Sequence, residues 1–176
     1  RAADVSFNRL TIDGETSTSD SVLLLANGVA ANSPLRGPRS PGAAAFAAAV
    51  EEVSIALTRD LARDGEGATK LVTVRVSGAA NPAQAERAVR RIANSLLVKT
   101  ALFGRDPNWG RILQTIGAAR VAIEMDRAQV RVGGITVFRR GASAGSAARR
   151  RAGARMEADE IELSIDLAAG RASAHV

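Results

Sequence analysis

Lys70-Leu71-Val72-Thr73-Val74-Arg75-Val76, followed after a short link by Asn81-Pro82, decides the class of fold. Val72, Val74 and Val76 alternate with Thr73 and Arg75, the period of two that sets one face of a strand on a core. Asn81-Pro82 reads as a helix cap with proline at the first helical position. Ala85, Val89, Ile92 and Leu96 then form one apolar stripe. Upstream, Ser40-Pro41 gives a second cap-and-proline start. Phe46, Val50, Val53, Leu57 and Leu61 follow it on a long helix that stops at Asp64-Gly65. Two amphipathic helices beside alternating strands predict a layered α/β sandwich with mixed sheet.

Outward from this unit, Asn8 to Ile12 and Ser21 to Ala26 read as strands around a Thr/Ser-rich link. Val22-Leu23-Leu24-Leu25 is a continuous apolar run suited to a buried strand. Phe103 to Gly110 reads as a loop leading into a short helix through Ile112 and Ile116. Strands are expected near residues 121–125, 129–132 and 135–138. Ile161, Leu163, Ile165 and Leu167 alternate with Glu162, Ser164 and Asp166 as a strand with one wet face. The chain divides into residues 1–138, the main α/β lobe, and 139–176, an Arg-rich segment with a helix and C-terminal strands of the same or a smaller lobe.

Composition narrows the chemistry. The chain has 176 residues, 46% apolar and 24% charged, enough for a packed core. It has no cysteine, and its one histidine is His175. Disulfides, cysteine nucleophiles, His/Cys metal sites and a Ser-His-Asp triad inside the chain are thereby excluded, save where the terminal histidine folds back into a core. No apolar run approaches the ~20 residues of a spanning helix. The start, Arg1-Ala2-Ala3-Asp4, has neither initiator Met nor a signal-peptide core, so the chain reads as a cytoplasmic piece of something longer.

The net charge of +6 is local. Arg139 to Arg155 holds arginines 139, 140, 149, 150, 151 and 155 and no acid; the remainder carries 18 basic and 18 acidic residues. No aromatic lies in that stretch to stack on bases. A solvated loop running into a helix is favoured there over a nucleic-acid surface. Elsewhere arginine dominates so strongly that the two lysines, Lys70 and Lys99, stand out as places where a compact ammonium is wanted.

Three stretches can carry chemistry. Asp64-Gly65-Glu66-Gly67-Ala68-Thr69-Lys70 sets glycines around an uncrowded carboxylate able to meet a ligand ammonium, though a helix end and polar turn would look the same. It is not a phosphate loop, because Lys70 opens a strand rather than a helix. Asp106, Asn108 and Trp109 sit among glycines and a proline and suit a structural turn. Thr16 to Asp20 offers hydroxyls but no base, so a nucleophile there would need a lysine or a terminal amine.

The stretch from Ser6 through Asp13-Gly14-Glu15-Thr16-Ser17-Thr18-Ser19-Asp20 to Gly28 resembles the β chain of the ornithine acetyltransferase / glutamate N-acetyltransferase family. Asp64 to Lys70 is similar to a second motif of that family. Leu97-Val98-Lys99-Thr100-Ala101-Leu102-Phe103-Gly104-Arg105-Asp106-Pro107-Asn108-Trp109-Gly110-Arg111-Ile112 is similar to a third. The resemblance covers most of the chain to about residue 138 and returns at Met156 to Gly170.

It implies an α-β-β-α sandwich of a self-cleaving precursor whose α and β chains remain together, commonly as an α2β2 heterotetramer. In such enzymes the N-terminal threonine of the β chain takes an acetyl group from N-acetylornithine and passes it to glutamate. Ornithine and N-acetylglutamate are the products, and the threonine's own amine can act as base. The α chain supplies the oxyanion hole. No cofactor is implied, although some members also use acetyl-CoA as donor.

Glu66 matches the family's substrate-binding glutamate, while Asp106, Asn108 and Trp109 read as scaffold. No catalytic residue and no metal ligand is assigned within this chain, since it begins with Arg1 and the threonine is expected upstream. The sequence stops at His175-Val176, where the family pattern continues into a tail with further substrate contacts, and the Arg-rich segment departs from the family pattern. Two alternatives remain: a related self-cleaving aminopeptidase-like hydrolase, in which water takes the acyl group, and a nucleic-acid-binding module using Arg139 to Arg155.

Overall fold

A computed structural model describes residues 1–176. Its helices are α1 (Ala2–Val5), α2 (Ala43–Arg63), α3 (Pro82–Ala93), α4 (Leu96–Phe103), α5 (Trp109–Ala118) and α6 (Ser146–Arg155). Its strands are β1 (Leu71–Ala79), β2 (Gln129–Val132), β3 (Ile135–Arg139), β4 (Ala142–Ser143), β5 (Glu160–Asp166) and β6 (Ala172–His175). The strands form one six-stranded mixed sheet in the order β4-β3-β2-β5-β1-β6. Only β1 and β5 run parallel; the other neighbours are antiparallel.

Register explains the core. Val72, Val74 and Val76 lie opposite Ile161, Leu163 and Ile165, and Val130 and Val132 meet Ile165 and Leu163 from the other side. These side chains share one face, which α3 and α5 cover with Ala85, Val89, Ile92, Ile112 and Ile116. The opposite face carries Arg75, Glu162, Ser164 and Arg131 and stays wet, as the alternation requires. At the far end Trp109 packs on Phe138, ring centroids 5.0 Å apart and tilted by 31°.

Gly78 sits where the β1–β6 register slips, with φ +65°. A β-carbon there would lie 2.1 Å from Asp166 Oδ1 and 2.7 Å from Ala168 N, so only glycine admits this crossing.

Where local signals were complete, the elements form as read. Asn81 caps α3 by accepting from Gln84 N at 2.9 Å, with Pro82 in the first turn. The wet-faced strand is β5, and residues 139–176 contribute β5 and β6 to the same sheet as β1.

Other expectations are corrected. Phe7–Arg9 is a 3₁₀ turn rather than a strand, and Ser21 to Ala26 is irregular and exposed. Helix α2 begins at Ala43 behind Gly42, because Ser40 turns its hydroxyl back to accept from Arg36 N and Gly37 N. Residues 121–125 make isolated bonds, Ala122 N to Gln84 Oε1 and Glu124 N to the Leu167 carbonyl, instead of a ladder. Leu96, expected on the stripe of α3, and Phe103, expected in a loop, are instead the ends of a separate helix, α4, and β6 is the second of the C-terminal strands, for which the sequence gives no bounds.

Candidate functional site

Strand β6 pairs with β1 only from Val74 onward, so Leu71 to Thr73 have no neighbour on that side. A cavity of about 510 Å³ opens beside this free edge, within the range of small-molecule sites. Its walls come from α2 (Ile55, Thr58), the Glu66 turn, α4 (Lys99, Phe103) and the N-terminal segment.

That segment is held from outside by side chains of α3 and α4. Arg9 donates to Glu86 at 2.6 Å, Arg90 donates to the carboxylate of Glu86 at 2.6 Å and to the Asn8 carbonyl, and Thr11 Oγ1 lies 2.6 Å from Asn94 Oδ1. Lys99 Nζ donates to the Ile12 carbonyl. Burial pushes the Glu86 carboxyl up, but the two arginines outweigh it and hold the group below the ordinary carboxylate range.

Glu66 stands at the rim, in the turn after α2. It is exposed, and no hydrogen bond or ion pair involves its side chain. The flanking glycines serve different ends. Gly67 has φ +70°, a conformation L-residues rarely adopt. Gly65 packs on Ile12, where a β-carbon would come within 3.1 Å of Cγ2. The carboxylate is thus presented to the cavity without a partner of its own, the state a ligand ammonium would meet.

The other sequence candidates have structural work. Asn108 Oδ1 caps α5 by accepting from Arg111 N at 3.1 Å, while its Nδ2 donates to Asp106 at 2.9 Å. Asp106 in turn accepts from Arg149 at 3.0 Å. Ser17 Oγ accepts from Ser19 N and Asp20 N, so that hydroxyl closes a turn. Arg139, Arg140, Arg149, Arg150, Arg151 and Arg155 are exposed, and α6 rests on the fold through Ala148 and Ala152.

Sequence reasoning marked Lys99 as unusual but did not bring it to Glu66's cavity. It also missed His175, which lines the same space. Burial first, then the charges of Arg75 and Arg9, holds the His175 imidazole below its ordinary value.

Comparison with known proteins gives this geometry a setting. The sequence matches the ArgJ family over residues 1–176. It is 43% identical over 176 residues to the arginine biosynthesis bifunctional protein ArgJ of Geobacter sulfurreducens, covering 100% of this chain and 44% of that protein. It is 44% identical over 173 residues to the glutamate N-acetyltransferase of Methanopyrus kandleri, covering 96% of this chain and 43% of that protein. The chain therefore spans less than half the length of these relatives.

Its fold superposes on the crystal structure of the arginine biosynthesis bifunctional protein ArgJ from Bacillus halodurans with a TM-score of 0.88. That likeness has 37% identity and covers 99% of this chain and 82% of that one. Matched along its whole length and sharing its fold with a solved member, the chain belongs to the ArgJ family.

Proposed function

We propose that this chain is the β part of an acetyltransferase of arginine biosynthesis, moving an acetyl group from N-acetylornithine to glutamate through a threonine acyl-enzyme. The observation that carries the reading is the unpartnered Glu66 carboxylate at the mouth of the cavity, in a chain of the ArgJ family. Glutamate N-acetyltransferase is the name of one relative, and the others compared are arginine-biosynthesis proteins.

In this reading Glu66 binds amino-acid substrate, and the nucleophilic threonine and oxyanion hole come from outside these residues. That division fits cavity walls whose single imidazole, His175, takes no hydrogen bond from the hydroxyls of Ser6, Thr11 or Thr58, which bond elsewhere. Acetyl-CoA is a second candidate donor. No helix is long and apolar enough to cross a membrane, and this reading places the enzyme in the cytoplasm.

The partner is the rest of the precursor, the α chain, in an α2β2 assembly. Its landing face is the outer stripe of α2 together with Val22 to Leu25. Leu23, Leu24 and Leu25 are 79%, 74% and 87% exposed, and Phe46, Val53, Leu57 and Leu61 are all at least half exposed. Exposed apolar runs of this kind mark interfaces. The chain's 44% share of the Geobacter protein leaves ample sequence to cover it.

In the processed two-chain protein, Glu66→Ala should weaken amino-acid substrate binding by about 1.5–3 kcal/mol, the cost of a lost charged hydrogen bond. Its melting temperature should not change, because Glu66 holds nothing in the fold. Unchanged kinetics with both N-acetylornithine and glutamate would remove Glu66 from the site. Release of acetate to water, with no N-acetylglutamate formed, would favour the hydrolase instead.

A further inference from the structure

The cavity's charges are unevenly satisfied. Arg9, Arg59 and Arg75 reach it, but each is paired with a carboxylate: Glu86 at 2.6 Å, shared with Arg90; Glu160 at 2.7 Å, shared with Arg63; and Glu162 at 3.1 Å. The two lysines are not. Lys70 Nζ has only the Ala158 carbonyl, at 3.0 Å, and Lys99 Nζ only that of Ile12. A carbonyl accepts a hydrogen bond without cancelling the charge, so both ammoniums keep a full need for an anion. Glu66, the one acid lining the cavity, is equally unmatched.

Geometry separates the lysines. Lys70 is drawn toward the carbonyl just ahead of β5. Lys99 is drawn to Ile12, and the Ile12 side chain packs against Gly65, next to Glu66. One residue therefore stands between an uncompensated ammonium and an uncompensated carboxylate, both facing the same space.

We propose that Lys99 and Glu66 form a subsite of opposite charges that reads the two amino-acid substrates by turns. The inference rests on the acetyl-transfer reading above. Ornithine-type substrates end in a side-chain ammonium, and glutamate ends in a side-chain carboxylate. The α-amino group is the atom that exchanges the acetyl group, so the distal charge is what remains to tell the two apart. Glu66 receives the distal ammonium, and Lys99 the distal carboxylate. Whichever substrate is bound, the idle partner keeps to water at the open rim. Lys99 is thus a specificity-determining residue for the acceptor.

The test uses the processed two-chain enzyme with N-acetylornithine and glutamate as substrates. Lys99→Met should raise the glutamate KM roughly tenfold or more, as for a lost charge-assisted hydrogen bond. The KM for N-acetylornithine should stay within about twofold. Lys99→Arg should recover most of the loss, and Glu66→Gln should show the opposite preference. Asn94→Ala, which frees Thr11 from its contact beside the Lys99–Ile12 tether, should not reproduce the split.

Equal changes in both KM values, an unchanged glutamate KM, or the same split in Asn94→Ala would make Lys99 a tether and overturn the proposal. A wild-type enzyme that transfers no acetyl group to glutamate would overturn the functional reading first, and this inference with it.

Discussion

Helices α2 and α3 carry the same kind of apolar stripe and use it in opposite ways. Along α3, Ala85, Ala88, Val89 and Ile92 are fully buried on the sheet. Along α2 the only buried side chains are Ser54 and Thr58, each hydroxyl turned back to a carbonyl four residues earlier at 2.7 Å. The stripe of α2 faces outward, and the helix is tied down by exposed ion pairs from Arg59 and Arg63 to Glu160 and by a pair from Arg1 to the half-buried Glu51. Such pairs contribute little. A periodic pattern thus tells which face of a helix needs cover, while the identity of the cover depends on what lies nearby.

The contrast is most exposed to refutation in the assembled protein. Val53→Asp combined with Leu57→Asp should abolish co-purification with the proposed α chain while leaving the circular dichroism of this chain intact. Retained association would mean that the outer stripe of α2 is not a landing face.

On α3, Ile92→Ala should cost about 2–5 kcal/mol in denaturant unfolding, the range for emptying a packed aliphatic site. A loss below about 1 kcal/mol would show that α3 is no better seated than α2.

The smallest effect concerns acid. The lowered imidazole of His175 means that the folded chain binds protons less readily than the unfolded one. Stability is therefore fully present above about 6.5, the unfolded value, and is lost as pH falls below it toward the lower folded value. Glu86, also lowered, acts in the same direction at more acid pH. His175→Gln should flatten the fall in melting temperature between pH 7 and pH 5. An unchanged slope would assign that fall to other groups.

What was legible in the sequence follows the same division. Asn81-Pro82 and the stripe through Ile92 describe α3 correctly because cap, first turn and buried face are all local; Leu96, read as the next member of that stripe, lies beyond the helix end at Asn94 and is exposed. The alternation of β1 and β5 is legible for the same reason, since each supplies its own inner face. The run Val22 to Leu25 reads as a buried strand, but a strand needs a neighbour for its backbone, and none among residues 1–176 reaches it.

Helix α4 is not legible as a separate element because Leu96 continues the α3 stripe in spacing, and Leu97, Val98, Ala101, Leu102 and Phe103 are apolar on several sides, leaving no period of their own. Strand β6, Ala-Ser-Ala-His, has no large alternating side chains to announce it.

The site was half legible. Glycines on both sides of a carboxylate drew attention to Glu66, and the resemblance gave it a role. Lys99 stood out only against an arginine-rich background. Its place beside Ile12 comes from a contact spanning 87 positions, which no local pattern encodes.

The arginine bias has one last consequence for the chemist. Guanidinium groups ignore reagents that acylate amines, and apart from its own terminus this chain has just two amines to offer. Both line one cavity. A mild acylating label is therefore directed to that cavity by composition alone, and peptide masses carrying Lys70 or Lys99 read its occupancy residue by residue.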